Sequence, residues 1–135
     1  MKIQELRIGN LVKCKTSNDS AIYSVIQIDG FGLKVRLSHP RHTEFTPLDR
    51  IKPIPLTEEI LLKCGFEKDD TGVDMFDPDY AEWYQMEFPV IGILCQSSDK
   101  KYLFDENTDT LRIQYLHQLQ NLVFDLTGEE LEVEL

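Results

Sequence analysis

The apolar positions near the end of the chain recur with a helical period. In YLHQLQNLVFDLTG (115–128), Tyr115, Leu116, Leu119, Leu122, Val123 and Leu126 fall at i, i+1, i+4, i+7, i+8 and i+11. At about 100° per residue they share an arc roughly 120° wide, the apolar stripe of a helix lying on a core. Gly128 supplies the residue that most readily takes the left-handed conformation closing a helix. The pattern therefore predicts a helix from Tyr115 to Thr127. Its other face is unusual. It carries His117, Gln118, Gln120, Asn121, Phe124 and Asp125, with one carboxylate and no Lys or Arg. A solvent face ordinarily uses charged residues in i,i+4 pairs. Phe124 falls about 140° from the middle of the apolar arc. Amides and an aromatic ring with so little charge resemble an interface core. Three readings stay open: Phe124 packs beneath a loop or the other half of the chain, it is a lone exposed ring, or His117, Gln120, Asn121 and Phe124 form a partner-binding or self-association patch.

Upstream, the period changes from 3.6 to 2. Residues 1–55 read as β: Leu11–Cys14 after the Gly9-Asn10 turn, Ala21–Asp29, then Leu33–Leu37 after Gly30-Phe31-Gly32, and a short Glu44–Thr46. In Leu33–Leu37, Leu33, Val35 and Leu37 alternate with Lys34 and Arg36. Leu48–Ile51 suits one helical turn. Short strands with tight turns in this span predict a small SH3-like β-barrel or an open meander. Lys52-Pro53-Ile54-Pro55 is a stiff connector. A short helix follows at 57–64, with Thr57 as N-cap, Glu58 and Glu59 in its first turn, Leu56 and Leu61 as a hydrophobic staple, and Gly65-Phe66 closing it. Glu67–Asp79 is acidic and loop-rich, with a short strand at Val73–Phe76. Strands are expected at Glu82–Phe88 and Val90–Gln96, and a hairpin pairs Tyr102–Phe104 with Leu111–Gln114. Leu131–Leu135 alternates as an edge strand or a tail. The fold class is α+β: a barrel or meander over 1–55, then an antiparallel sheet with two helices over 56–135, the two packed as one unit.

Charge sharpens this division. The chain of 135 residues carries a net charge of −10. Residues 1–55 hold nine Lys/Arg and five Asp/Glu, a balance of +4; residues 56–135 hold five and nineteen, a balance of −14. The blandest use of the asymmetry is mutual attraction between the halves. The acidic half argues against nucleic-acid binding by the protein as a whole. A hydrophobic content of 41% describes a globular chain. No apolar run approaches the ~20 residues that span a bilayer, and the polar start MKIQELRIGN does not read as a secretory signal. The expected location is the cytoplasm, with no membrane partner. Cys14, Cys64 and Cys95 are far apart and fit reduced thiols.

The chemistry-bearing clusters are weak. Asp105, Asn107 and Asp109 match three positions of a calcium loop, but Thr110 and Leu116 occupy its obligatory Gly and Glu positions. The acidic stretch Asp69, Asp70, Asp74, Asp77 and Asp79 has no ligand spacing. His39 and His42 are separated by a proline that breaks the H-x-x-H helix a zinc pair needs. His117 has no carboxylate or nucleophile placed by the sequence to act with it, apart from Asp125 two turns away. Lys34, Arg36 and Arg41 with Phe31 and Tyr23 form a sparse basic-aromatic set. The reading is of no catalytic residue, no metal and no cofactor.

Two motifs resemble a family. LTEEILLKCGF at 56–66 and YLHQLQNLVFDLTGEEL at 115–131 resemble segments shared by an uncharacterised family of gut-bacterial proteins carried by prophages and other mobile elements, and ELRIGNLV at 5–12 resembles their usual start. Asp125 departs from the small apolar residue associated with that position. The resemblance implies a setting and no activity. The expectation is a non-enzymatic accessory protein acting through protein–protein contact at His117, Gln120, Asn121 and Phe124, either with a different protein or as a homodimer. The alternative is an acidic, nucleic-acid-mimicking inhibitor of a host defence or DNA-processing enzyme.

Overall fold

A computed structural model describes residues 1–15, 21–38, 44–69, 80–86, 91–96, 102–104 and 112–133. The chain divides into two compact units, one formed by Met1–Pro55 with Tyr115–Asp125 and the other by Leu56–Gln114 with Leu126–Leu135. The break after Pro55 falls at the stiff connector. The C-terminal helix, expected to organise residues 56–135, groups instead with the N-terminal unit through Asp125.

The first unit is an antiparallel sheet of five short strands: β1 (Leu11–Cys14), β2 (Tyr23–Asp29), β3 (Lys34–Leu37), β4 (Thr46–Pro47) and β5 (Ile51–Lys52), in the order β4-β3-β2-β1-β5. Alternation puts Val12, Cys14, Val25, Val35, Leu37 and Ile51 into the core, with Ile3 and Leu6 from the N-terminal segment. The strict period fails once. The register between β2 and β3 slips between Val25 and Gln27, so an extra residue bulges at Ile26, which is left exposed. Leu33, expected to point inward with Val35 and Leu37, stands outside β3 at φ 51° and is exposed.

The sheet is open, because its edge strands β4 and β5 do not pair. Among the described residues a closed SH3-like barrel is therefore not shown, yet the sheet must curl. Five flat strands would set the edges about 19 Å apart. Only the 3-10 turn Leu48–Arg50 joins β4 to β5, and a chain of that length reaches about 14 Å at most.

The second unit opens with α1 (Glu58–Lys63), capped as expected. Thr57 Oγ1 accepts from Ile60 N at 3.2 Å. At the other end Phe66 N donates to Leu61 O and Gly65 N to Leu62 O, both bonds of a Schellman motif, with Gly65 at φ 96°. Five antiparallel strands follow as a meander: β6 (Glu67–Asp69), β7 (Tyr80–Met86), β8 (Ile91–Gln96), β9 (Tyr102–Phe104) and β10 (Arg112–Ile113). Strand β6 occupies the start of the stretch expected to be loop. The strand expected at 73–76 lies outside the described residues. Residues 129–133 form no strand, although Leu131 is buried.

Helix α2 (Leu116–Thr127) starts and stops where its pattern places it, with Gly128 at φ 74°. Gln118 Oε1 reaches back to accept from Tyr115 N at 3.0 Å, the backward arm of a capping box. Leu116 N donates to Ile54 O and Tyr115 bridges Pro55, so the helix begins beside the connector.

Candidate functional site

The four residues singled out on α2 lie together, and their partners are in the same unit. The buried arc of the helix is Leu116, His117, Leu119, Gln120 and Val123. It is rotated roughly 80° from the apolar stripe toward the amide face. Leu126, expected inside, is exposed.

The N-terminal segment Glu5–Leu11 explains the rotation. Gly9, at φ 99°, and Asn10 form a tight turn against β2: Gly9 N donates to Val25 O and Val25 N to Asn10 O. Leu11 N would be left without an acceptor beside this turn. Gln120 Oε1 accepts it at 2.8 Å, and Gln120 Nε2 donates to Gly9 O at 3.3 Å. Asn121 Nδ2 donates to Glu5 O at 2.7 Å, while its Oδ1 accepts from Asn10 Nδ2 at 2.8 Å. Asn10, fully buried, also accepts from Arg7 N. Arg7 donates to Gln120 O, and its guanidinium lies 4.1 Å from the centre of the Phe124 ring, a cation–π contact. The absence of Lys and Arg on this face thus has a physical cause. Buried backbone groups need amide partners, and a charged side chain there would carry a desolvation cost.

His117 is fully buried, stacked on Tyr115 with ring centres 5.9 Å apart. Its Nε2 lies 3.5 Å from Glu5 Oε2, at the long limit of a hydrogen bond, and its Nδ1 has no partner among the described residues. Burial holds the imidazole below its usual 6.5; Glu5 opposes that shift and the N-terminal ammonium adds to it. With its pKa lowered from 6.5, the ring is neutral at pH 7. His117 and Gln120 are closed to solvent against the chain's own N-terminal segment, while Asn121 and Phe124 are half-buried.

The other candidates disperse. Cys14 and Cys64 are buried, reduced thiols, and burial pushes Cys64 up to about 12, which removes it as a thiolate at neutral pH. Tyr23, expected in the basic-aromatic set, is buried. Lys34 and Arg36 both approach the Phe45 ring, at 5.2 and 5.3 Å. His39, His42, Arg41, the acidic residues of 70–79 and Asp105, Asn107 and Asp109 lie outside the described residues. Among the described residues no group of three His, Cys, Asp or Glu could hold a metal, and no helix is long and apolar enough to cross a membrane.

Open apolar surface appears instead at the turn between β2 and β3. Asp29 Oδ1 accepts from both Phe31 N and Gly32 N, at 3.1 and 3.0 Å, which locks the turn. A Cβ on Gly32 would stand 2.7 Å from Asp29 Oδ2, so the carboxylate would have to shift to admit one. The locked turn presents Phe31, exposed at 103%, and Leu33, exposed at 53% in a left-handed conformation that a leucine rarely adopts. No signal in the periodicity marks Leu33, because its position continues the alternation of β3. Beside it opens a cleft of about 480 Å³ with aliphatic walls from Leu33, Pro47, Leu48 and Ile51 and with Lys15 and Asp49 among its lining. The chain matches no protein-family model, no curated protein and no solved structure.

Proposed function

We propose that the protein is a non-enzymatic, cytoplasmic accessory protein that acts by contact with another protein, and that the contact is made by the Phe31–Leu33 turn of the first unit. The single observation that carries this reading is a large aromatic ring held wholly in water by a hydrogen-bonded turn. Scattered exposed apolar residues are ordinary. A fixed pair of them beside an aliphatic cleft, one in a strained backbone conformation, has the character of a recognition feature. The strand layout, with a three-residue 3-10 turn between the edge strands, supports reading the first unit as SH3-like. The resemblance of 56–66 and 115–131 to mobile-element proteins supports a phage or mobile-element setting.

The test is photo-crosslinking in the native host, with benzoylphenylalanine replacing Phe31 or, as a control, the exposed Leu62 of the second unit. One discrete protein adduct at position 31 and none at position 62 is expected. An adduct of twice the chain mass would make the partner a second copy. No adduct at 31 above the level at 62 would overturn the proposal.

A further inference from the structure

Two like-charged pairs face each other on the edge of the first sheet. In the β1–β5 register Lys13 stands directly opposite Lys52. The ladder runs one step further, because Lys15 N donates to Arg50 O at 2.7 Å, which sets Lys15 against Arg50. Val12, Cys14 and Ile51 take the core side, so the cations take the outward side. Lys15, Arg50 and Lys52 are exposed and Lys13 is half-buried. None of the four has an ion pair among the described residues, although Lys34 and Lys63 of the same chain each meet a carboxylate. Like charges directly opposite on a sheet are destabilising, so the fold carries a cost here that no carboxylate among the described residues offsets. The unit as a whole is cationic, with nine Lys/Arg against six Asp/Glu once Asp125 is counted with residues 1–55.

The spacing defines what would relieve the repulsion. Successive cations on one strand are two residues, roughly 6.7 Å, apart. An extended peptide with carboxylates at alternate positions repeats at that interval. Its intervening side chains point away from the sheet, and the aliphatic cleft opens beside Lys15 at one end of the rows, where a residue beyond the last carboxylate would enter it. The cleft has aliphatic walls and no aromatic ring among its described lining, which suits an aliphatic side chain and lacks the stacking platform that unpaired bases use. Pro53, directly after β5, has no backbone N–H, which disfavours addition of a further strand to this edge. The segment would therefore lie across the outward face and be held by side chains.

We infer that the Lys13, Lys15, Arg50 and Lys52 face binds an extended segment of a partner protein that carries carboxylates at alternate positions and, beyond the last of them, an aliphatic residue for the cleft beside Lys15. This rests on the contact reading above and names the chemistry of the partner. The test titrates the intact protein with a short peptide of alternating Glu and Val, a peptide of the same composition with its Glu and Val in separate blocks, and an oligothymidylate of matching charge. The alternating peptide is expected to bind most tightly, and to weaken about tenfold for the exposed-site variant Lys52→Glu. The same variant replaces a repulsive pair by an attractive one, so its melting temperature should rise. Loss of binding with a gain in stability separates a binding role from a structural one. Equal binding of the block peptide, tighter binding of the oligonucleotide, no binding of any probe, or a Lys52→Glu variant that binds as well as the parent would each overturn the inference. If the peptide fails while the adduct at position 31 persists, the partner chemistry is wrong and the contact reading stands.

Discussion

His117 is the residue whose surroundings have the clearest solution consequence. Its ring is buried without full hydrogen bonds, and burial holds its pKa below 6.5 in the folded protein. The unfolded chain takes up a proton near 6.5 and the folded chain does so only at lower pH. Between those values the unfolded state binds more protons, so stability falls as pH drops below 6.5, by up to about 1.4 kcal/mol per pH unit, and levels off once the folded ring protonates. Above 6.5 this contribution is constant. Urea denaturation at a series of pH values for the parent and for His117→Gln measures it: the parent should lose stability on acidification more steeply than the variant. Identical slopes would mean that the imidazole keeps its ordinary affinity for protons. The neutral stretch around His117 was legible in the sequence as odd, but its meaning was not. A hydropathy pattern scores Gln120 and Asn121 as polar and hence outward. They point inward because Leu11 N and the carbonyls of Glu5 and Gly9 need partners, and no local signal at 115–127 reports a need that arises more than a hundred positions away.

At the scale of elements, what was legible is what is determined locally. The cap of α1 at Thr57, its close at Gly65 and the end of α2 at Gly128 depend on neighbours within a few residues, and each appears where its residues put it. Strand β1 was readable to the residue, because both its buried positions alternate cleanly. The misses have long-range causes. The bulge at Ile26 appears only in the register of β2 against β3, and the left-handed Leu33 only after the turn that Asp29 pins. Strands β5 and β6 are too short for periodicity to register. The local account of α1 is testable: Gly65→Ala forces a side chain into φ 96° while leaving both Schellman bonds possible. The variant should be destabilised by about 1–2 kcal/mol, measured by chemical denaturation. A change below a few tenths would show that residue 65 relaxes out of the left-handed region at little cost.

For the whole molecule, the order of the chain and the order of its units differ. Residues 1–55 make a sheet whose N-terminal turn is completed by side chains of 117–121, so the first unit closes only when the chain returns at Tyr115. Charge and composition signalled two parts and placed the break at Pro55, but they put the last helix with residues 56–135, where its apolar stripe would equally fit. Its amide contacts attach it to the N-terminal segment instead. The central claim is therefore that α2 is a structural member of the N-terminal unit, attached through Gln120 and Asn121. Removing the Gln120 amide strands Leu11 N and Gly9 O, a loss of about 1–3 kcal/mol if the groups stay buried. Native-state amide hydrogen exchange of the parent and of Gln120→Ala measures where that loss is felt. The predicted result is faster exchange at Leu11, Gly9 and Val25 with the β7 and β8 amides unchanged. Faster exchange confined to β7 and β8, with Leu11 as protected as in the parent, would contradict the claim.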